Sequence, residues 1–300
     1  ADLSGAFFFF SFNNNNQNLR NHDKVLSILG SLSADDFQQS GNDSEDEACN
    51  NNSSPMEVVG ASGRIGSLFV RKLKNAIGVP RTVFPGTLSN KDRPIVVATP
   101  SREWYEIYND IVCINSIRSD DIVWIGNGLV SSEWQEDSTI ILPHFGVLEV
   151  NADPVTSPIS PPTYIYGKHS KEMGNFLNRT CNIQIEYIDS WTTIQKLAAR
   201  KLLWASCMWL VCHDNNNNKP LTLSKIYNND AEKEFTLIQL IQELLPCLND
   251  AYNNDDDDSL FSLQEILNYM KSYSLSMPNA IPSKDLALIE LNDRNGVWLR

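Results

Sequence analysis

Glu57–Phe69, with the sequence EVVGASGRIGSLF, is the stretch that decides the fold. Its first apolar residues predict a short buried strand, and the apolar spacing after the turn predicts a helix over Ser67–Ala76. Three glycines, Gly60, Gly63 and Gly66, lie between the two elements. A glycine-rich turn that links a strand to a helix is typical of nucleotide-binding proteins, whereas isolated glycines carry no such meaning.

The turn predicts a binding site for a diphosphate. The first glycine permits a tight turn, the second lets the backbone approach the pyrophosphate, and the third lets the helix pack on the strand. The helix N-terminus adds free N–H groups and a partial positive charge. The residues expected to bind a dinucleotide here are Gly60, Ser62, Gly63, Arg64, Ile65 and Gly66. The spacing G-x-x-G-x-x-G is longer than the common G-x-G-x-x-G, so a purely structural turn remains the alternative.

The residues after the turn favour NADP over NAD. NAD-selective sites carry an acidic residue about 20 positions beyond the turn, and none occurs around Val83–Gly86. Arg81 and Arg64 are instead available to pair with a 2′-phosphate. Either one, taken alone, is better explained as an ordinary surface arginine.

Alternating strands and helices follow the turn. Apolar runs at Arg81–Phe84, Ile95–Thr99 and Ile122–Ile125 predict further strands, and their spacing predicts βαβ units with a parallel sheet. Beyond Asp189 the pattern becomes helical. We therefore expect an α/β protein with a Rossmann-type dinucleotide-binding domain over residues 55–189 and an all-α C-terminal domain over residues 190–300.

Residues 1–54 have the composition of a low-complexity tail, rich in Asn, Ser, Asp and Gln. Such a stretch buries too little apolar area to offset its ordering entropy. One island, Lys24–Leu32, is apolar enough for a short helix that docks on the body or binds a partner. The chain begins with Ala rather than Met, which is compatible with removal of a leader peptide. An organelle (plastid or mitochondrion) and the cytoplasm therefore both stay open as compartments.

Composition argues against several classes of partner. The net charge of −13 and the pI near 4.7 argue against nucleic acid, because phosphate binding needs a positive surface. No apolar stretch reaches the roughly 20 residues that span a bilayer. The six cysteines form no CxxC pair and have no zinc spacing with the four histidines, so we expect no metal site.

Three later segments resemble those of the ketopantoate reductase family. Ile125–Leu129, together with Glu133, is similar to the family's Q-N-G-hydrophobic…E segment. Lys201 begins a run like the one that carries the family's catalytic lysine. Glu290–Gly296 resembles its E-x-x-x-x-N-G motif, and Ser276-Met277 its Ser-Met pair. The matches occur in the family's order.

The resemblance implies a reductase that transfers a hydride from NADPH to a 2-keto acid or related carbonyl. In that scheme Lys201 protonates the developing alkoxide, Glu290 holds the substrate hydroxyl, and Asn127 orients substrate or nicotinamide. Lys201 and Glu290 are also compatible with ordinary surface positions, and Asn127 with a simple turn.

The chain also departs from the family pattern. Gly126 stands where the family has Gln, and Thr99-Pro100 where it tends to have a lysine. Ala205 and Trp209 replace two asparagines that follow the family's lysine, which removes amide partners for a polar substrate. Two hypotheses remain open: an active NADP-dependent enzyme, oligomeric or not, and a catalytically degraded member that serves as a structural or binding subunit of a protein complex, with NADP binding lost.

Overall fold

The computed structural model describes residues 54–114, 118–126, 135–213, 220–228, 230–252, 261–282 and 288. Its strands are β1 Met56–Val59, β2 Ala76–Gly78, β3 Ile95–Val97, β4 Ile122–Ile125, β5 Thr139–Leu142, β6 Thr163–Tyr166 and β7 Ile185–Ile188. Its helices are α1 Arg64–Lys72, α2 Trp104–Ile114, α3 Ser170–Cys181, α4 Trp191–Cys212, α5 Leu223–Asn228, α6 Ala231–Tyr252 and α7 Leu263–Ser276. The described residues all belong to one compact unit.

The strands form one seven-stranded sheet in the order β2-β1-β3-β4-β5-β6-β7. All neighbours pair in parallel except β5 and β6, which are antiparallel. The chain leaves β1 in one direction to form β2 and then returns to the other side to form β3. Ligands of open α/β sheets bind where the strand order reverses in this way, beyond the carboxyl ends of the strands. That point here lies between β1 and β3.

Each face of the sheet is covered by helices. One face buries Val58, Val96 and Ile141 against α1 and α3, and the other buries Val97, Trp124 and Ile140 against α2 and the start of α4. Burial on both faces explains why the strands are nearly continuous apolar runs.

The second half of α4 belongs to a separate core that it shares with α5, α6 and α7, and the residues of this core include Leu203, Met208, Ile226, Ile241 and Met270. Helix α4 therefore links the sheet half to the helical half. No helix among the described residues is long and apolar enough to cross a membrane.

Two local predictions were wrong. Arg81–Phe84 is a turn region, and the strand beside β1 is instead Ala76–Gly78. Correspondingly, the first helix ends at Lys72 rather than Ala76. The pairing Met56↔Ala76 takes these residues into the sheet, so tertiary pairing overrides the helical apolar spacing. The boundary expected near Asp189 stays a prediction.

Candidate dinucleotide site

A cleft of about 890 Å³ opens at the carboxyl ends of β1, β2 and β3. Its floor includes Val59, Gly60 and Gly63 of the glycine turn, and Ala98 and Thr99 after β3. One wall is the segment after β2, and the other is the beginning of α2. The cleft therefore occupies the position where the strand order reverses.

Two glycines of the turn have no room for a side chain. Gly60 has φ +80°, and a Cβ at this position would lie 2.7 Å from the carbonyl oxygen of Ala98. A Cβ at Gly66 would lie 2.1 Å from the carbonyl oxygen of Gly60. Helix α1 thus approaches the end of β1 as closely as its backbone allows, and this fixes the direction in which its N-terminus points.

The N-terminus of α1 carries no competing group. Gly63 is its N-cap and supplies no side-chain cap, and no acidic residue stands in the first turn. The N–H of Gly63 is bonded within the turn to the Gly60 carbonyl at 2.9 Å, and the first helical bond is donated by Ser67 to Gly63. Ser62 and Arg64 are exposed, while Ile65 is half-buried. An uncapped N-terminus of this kind suits an anion.

Thr99 adds a polar group to the floor. Its hydroxyl oxygen is buried and has no hydrogen-bond partner within the described residues. A buried hydroxyl normally finds a partner, so an unpaired one beside a cleft suits a polar ligand or water there. Together with the glycine turn, this makes the residues a good fit for a dinucleotide.

The charges of the cleft are divided between its walls. Arg81 is exposed on the wall that follows β2. Glu103, just before α2, and Glu106 and Asp110 of α2 lie on the opposite wall. Burial, and next the charge of Glu106, raise the pKa of Asp110. The wall of α2 is therefore acidic. Across the cleft from it, Arg81 is the cation that the 2′-phosphate of NADP would meet.

Lys201 lies elsewhere, at the point where α4 passes from the sheet core to the helical core. Its side chain is buried, with 2% exposed, and is not among the residues that line the cleft. Its ammonium donates a hydrogen bond to the carbonyl of Pro143, which follows β5. It also stands 5.9 Å from the ring centroid of Tyr273 on α7.

A histidine that the sequence did not single out lies beside Lys201. His144 follows Pro143 directly, and its Nε2 is 2.8 Å from the Tyr269 hydroxyl of α7. Its ring also packs edge-on against Tyr164 and Tyr273. Its position after β5, at the same edge of the sheet as the other strand ends, is the signal that could have identified it.

Two other site residues expected from the family resemblance are not placed by the structure. Asn127 and Glu290 lie outside the described residues. Gly126, just before Asn127, is packed against Trp104, because a Cβ added to it would lie 2.5 Å from Cη2 of that indole. Trp104 thus fills the space that a glutamine side chain would need. Trp204 stacks on Tyr273 with ring centroids 4.3 Å apart.

The described residues contain no group of three His, Cys, Asp or Glu side chains that could hold a metal ion. Cys181, Cys207, Cys212 and Cys247 are free thiols; Cys181 is buried, and so are Cys207 and Cys212. Burial raises the pKa of each of these two thiols to about 12, so both stay protonated near neutral pH.

Comparison with solved structures identifies the fold. D-mandelate dehydrogenase in a ternary complex with NADH and anilino(oxo)acetate matches with a TM-score of 0.55 at 12% identity, over 82% of this chain and 91% of that one. A dimeric ketopantoate reductase from Staphylococcus aureus matches with a TM-score of 0.54 at 13% identity, over 82% of this chain and 90% of that one. No family model matches the sequence, and the comparison with curated proteins gave no match.

These identities are low, so the likeness concerns the three-dimensional arrangement alone. The expected fold class is confirmed, since a sheet half with predominantly parallel pairing is followed by a helical half. The chain has the ketopantoate-reductase-like fold, at 12% and 13% sequence identity to these two solved structures.

Proposed function

We propose that this protein is an oxidoreductase that uses a nicotinamide dinucleotide to reduce a 2-keto acid or a related carbonyl. The observation that carries the proposal is the position of the glycine turn. Gly60, Gly63 and Gly66 join a central parallel strand to an uncapped helix, beside a cleft of about 890 Å³ where the strand order reverses. The solved structures with this fold support the same class.

The turn and Thr99 are the groups that would hold the cofactor. The amides at the start of α1 would bind the diphosphate, and the unpaired Thr99 hydroxyl would meet a polar group on the floor of the cleft. When bound, a reduced nicotinamide supplies the hydride. The chain's own part is to orient it and to supply a proton.

We further propose that the dinucleotide is NADP, with Arg81 and Arg64 as the partners of the 2′-phosphate. Arg81 lies on the cleft wall after β2, and the glycine turn lines the same cleft. The carboxylates of α2 across the cleft oppose an added phosphate charge. The preference for NADP therefore depends on the arginines, and this makes Arg81 the residue to test.

Lys201 is the proposed proton donor, with Glu290 and Asn127 as substrate-orienting residues carried over from the family resemblance. The Lys201 ammonium, which donates a hydrogen bond to the Pro143 carbonyl, is the group that would donate a proton to a substrate oxygen. Reduction then places the hydride on the carbonyl carbon and a proton from Lys201 on the oxygen, which yields a 2-hydroxy acid.

A second candidate function is a structural or binding subunit of a larger complex that has lost catalysis. The burial of Lys201 at 2% exposure favours it, because a substrate reaches such a lysine less easily. The replacement of two family asparagines by Ala205 and Trp209 favours it too. In that case the partner is a protein rather than a small carbonyl compound.

One experiment separates the two candidates. The purified protein is mixed with NADPH or NADH and a panel of 2-keto acids, and loss of the reduced-nicotinamide absorbance is followed. The proposed enzyme oxidises the cofactor, and Lys201→Ala abolishes turnover while cofactor binding persists. Absence of turnover for every substrate, with cofactor binding weakened or lost and a stable complex in pull-downs, would favour the subunit. Size-exclusion chromatography in the same preparation tests the expected oligomer.

A further inference from the structure

His144 is fixed at three points beside the lysine contact. Its N–H donates to the Thr163 hydroxyl at 3.1 Å, and its carbonyl accepts from the Ser160 hydroxyl at 2.9 Å. Its Nε2 lies 2.8 Å from the hydroxyl of Tyr269. The residue is buried, with 2% exposed. Because Pro143 immediately precedes it, these three bonds also restrain the carbonyl that accepts from Lys201.

The ring of His144 connects the sheet half to the helical half. Its centroid lies 5.9 Å from Tyr269 and 4.8 Å from Tyr273, both on α7. Tyr273 in turn faces the Lys201 ammonium, 5.9 Å from its ring centroid. On the sheet side, Tyr164 of β6 packs edge-on at 5.3 Å. His144 and Lys201 therefore share one aromatic neighbour and one backbone segment.

The imidazole is neutral in this setting. Burial first, and then the positive charges of Lys201 and Arg200, hold the pKa of His144 well below its usual range. Burial, together with the neighbouring Tyr273, raises the pKa of Tyr269 well above the ordinary value, so its phenol keeps its proton. The phenol can then donate to Nε2. The ring proton is thereby assigned to Nδ1, which is buried and has no hydrogen-bond partner among the described residues.

We propose that His144 is a positioning residue for Lys201: through its bond to Tyr269 it fixes the Pro143 carbonyl, and that carbonyl sets the direction of the ammonium. The inference rests on the proposed function, in which Lys201 supplies the proton. A lysine side chain has four rotatable bonds and loses efficiency as a donor when its ammonium is misplaced. A neutral imidazole can hold the carbonyl without adding another cation beside Lys201 and Arg200.

Three variants of this contact separate hydrogen bonding from packing. Tyr269→Phe removes the donor to Nε2 and keeps the ring. His144→Leu removes the acceptor, whereas His144→Gln retains a side-chain oxygen that can accept from Tyr269. Tyr227→Phe is the matched control, because Tyr227 is a half-buried tyrosine of α5 with a buried hydroxyl and is not one of the three tyrosines that pack on His144.

The first readout does not require activity. Amine acylation with a small anhydride is followed at Lys201 by mass spectrometry of the whole folded protein. We expect acylation at Lys201 to become several-fold faster in Tyr269→Phe and His144→Leu, and to stay near wild type in His144→Gln and Tyr227→Phe. Equal rates at Lys201 in all five proteins would overturn the proposal. Urea denaturation of each variant verifies that it is folded.

The second readout separates this inference from the proposed function. With any keto acid that the wild type turns over, Tyr269→Phe and His144→Leu should lower kcat by about tenfold or more, with the KM for the reduced cofactor unchanged. An unchanged kcat would contradict a positioning role. A wild type without turnover, but with the expected acylation pattern, would refute the reductase and leave the structural link between His144 and Lys201 standing.

If the substituted proteins fail to fold, the wild type alone decides. Nitrogen chemical shifts of the His144 ring distinguish the two neutral tautomers and the imidazolium. We expect a neutral ring with its proton on Nδ1 from mildly acidic to mildly alkaline pH. An imidazolium near neutral pH, or a proton on Nε2, would overturn the proposed hydrogen bond from Tyr269 and with it the positioning role.

Discussion

Gly66 lies so close to Gly60 that a Cβ on Gly66 would be 2.1 Å from the Gly60 carbonyl oxygen. Backbone atoms cannot yield as the end of a flexible side chain can, so α1 would have to shift away from β1. We expect Gly66→Ala to destabilise the fold by about 1–3 kcal/mol, the usual cost of overpacking. Urea denaturation measures it. Gly146→Ala is the control, because a Cβ there meets nothing within 4 Å, and equal effects of both substitutions would contradict the packing argument.

Trp104 and Gly126 should be energetically coupled. A Cβ at Gly126 would lie 2.5 Å from Cη2 of Trp104, whose Nε1 is bonded to the Thr99 carbonyl at 3.1 Å. We expect Gly126→Ala to cost about 1–3 kcal/mol in the wild type and clearly less in a Trp104→Phe background. A double-mutant cycle in urea gives the coupling energy. Strict additivity of the two substitutions would show that the indole does not limit the side chain at 126.

Arg81 should decide the preference between the two dinucleotides. It lies across the cleft from an acidic wall, so its removal leaves the 2′-phosphate without a counter-charge there. We expect Arg81→Ala to weaken NADPH binding by about tenfold, in line with the loss of one charged hydrogen bond, and to leave NADH nearly unaffected. Isothermal titration with both cofactors checks this. Arg102→Ala, an exposed arginine outside the cleft lining, is the control. Equal losses for NADPH and NADH would refute the assignment.

His169 should make stability depend on pH. Burial disfavours its charged form, but hydrogen bonding to Asp121 and Glu172 outweighs this and raises its pKa above the ordinary value. Its Nε2 lies 3.2 Å from the Asp121 carboxylate. A raised folded-state pKa adds stability that is fully present below the unfolded pKa near 6.5 and is lost as pH rises through the folded pKa.

We therefore expect the free energy of unfolding to fall as pH rises from about 6 through the folded pKa of His169. His169→Gln should flatten this slope, and urea denaturation at a series of pH values measures both proteins. His213→Gln, at the residue just after α4 and remote from Asp121 in the chain, is the control. A slope that survives in His169→Gln would assign the dependence to another group.

The sequence predicted those parts of the fold that depend on residues close together along the chain. The glycine turn is such a case, because its strand, turn and helix are contiguous and each glycine has a local steric reason. The strand at Ala76–Gly78 was missed, since its formation depends on pairing with β1, which lies about 20 residues earlier. The strand predicted at Arg81–Phe84 relied on the apolar residues there alone. In the structure these residues line one wall of the cleft instead.

The surroundings of Lys201 could not be predicted from local pattern. The lysine meets Pro143 and Tyr273, which are distant in sequence and come together only through the packing of α4 on β5 and α7. His144 was missed for the same reason. The space filled by Trp104 beside Gly126 likewise follows from the packing of α2 against the end of β4.

Binding of a reduced nicotinamide dinucleotide to Ser62→Glu tests the central claim most directly. Ser62 is exposed in the turn, so an added carboxylate there should preserve the fold and repel the diphosphate. Thr193→Glu places the same charge in the first turn of α4, away from the cleft, and serves as the control. Titrations followed by nicotinamide fluorescence should show saturable NADPH binding for wild type and Thr193→Glu, and at least about a tenfold loss for Ser62→Glu. No binding by the wild type, or equal binding by all three, would contradict a dinucleotide site at this turn.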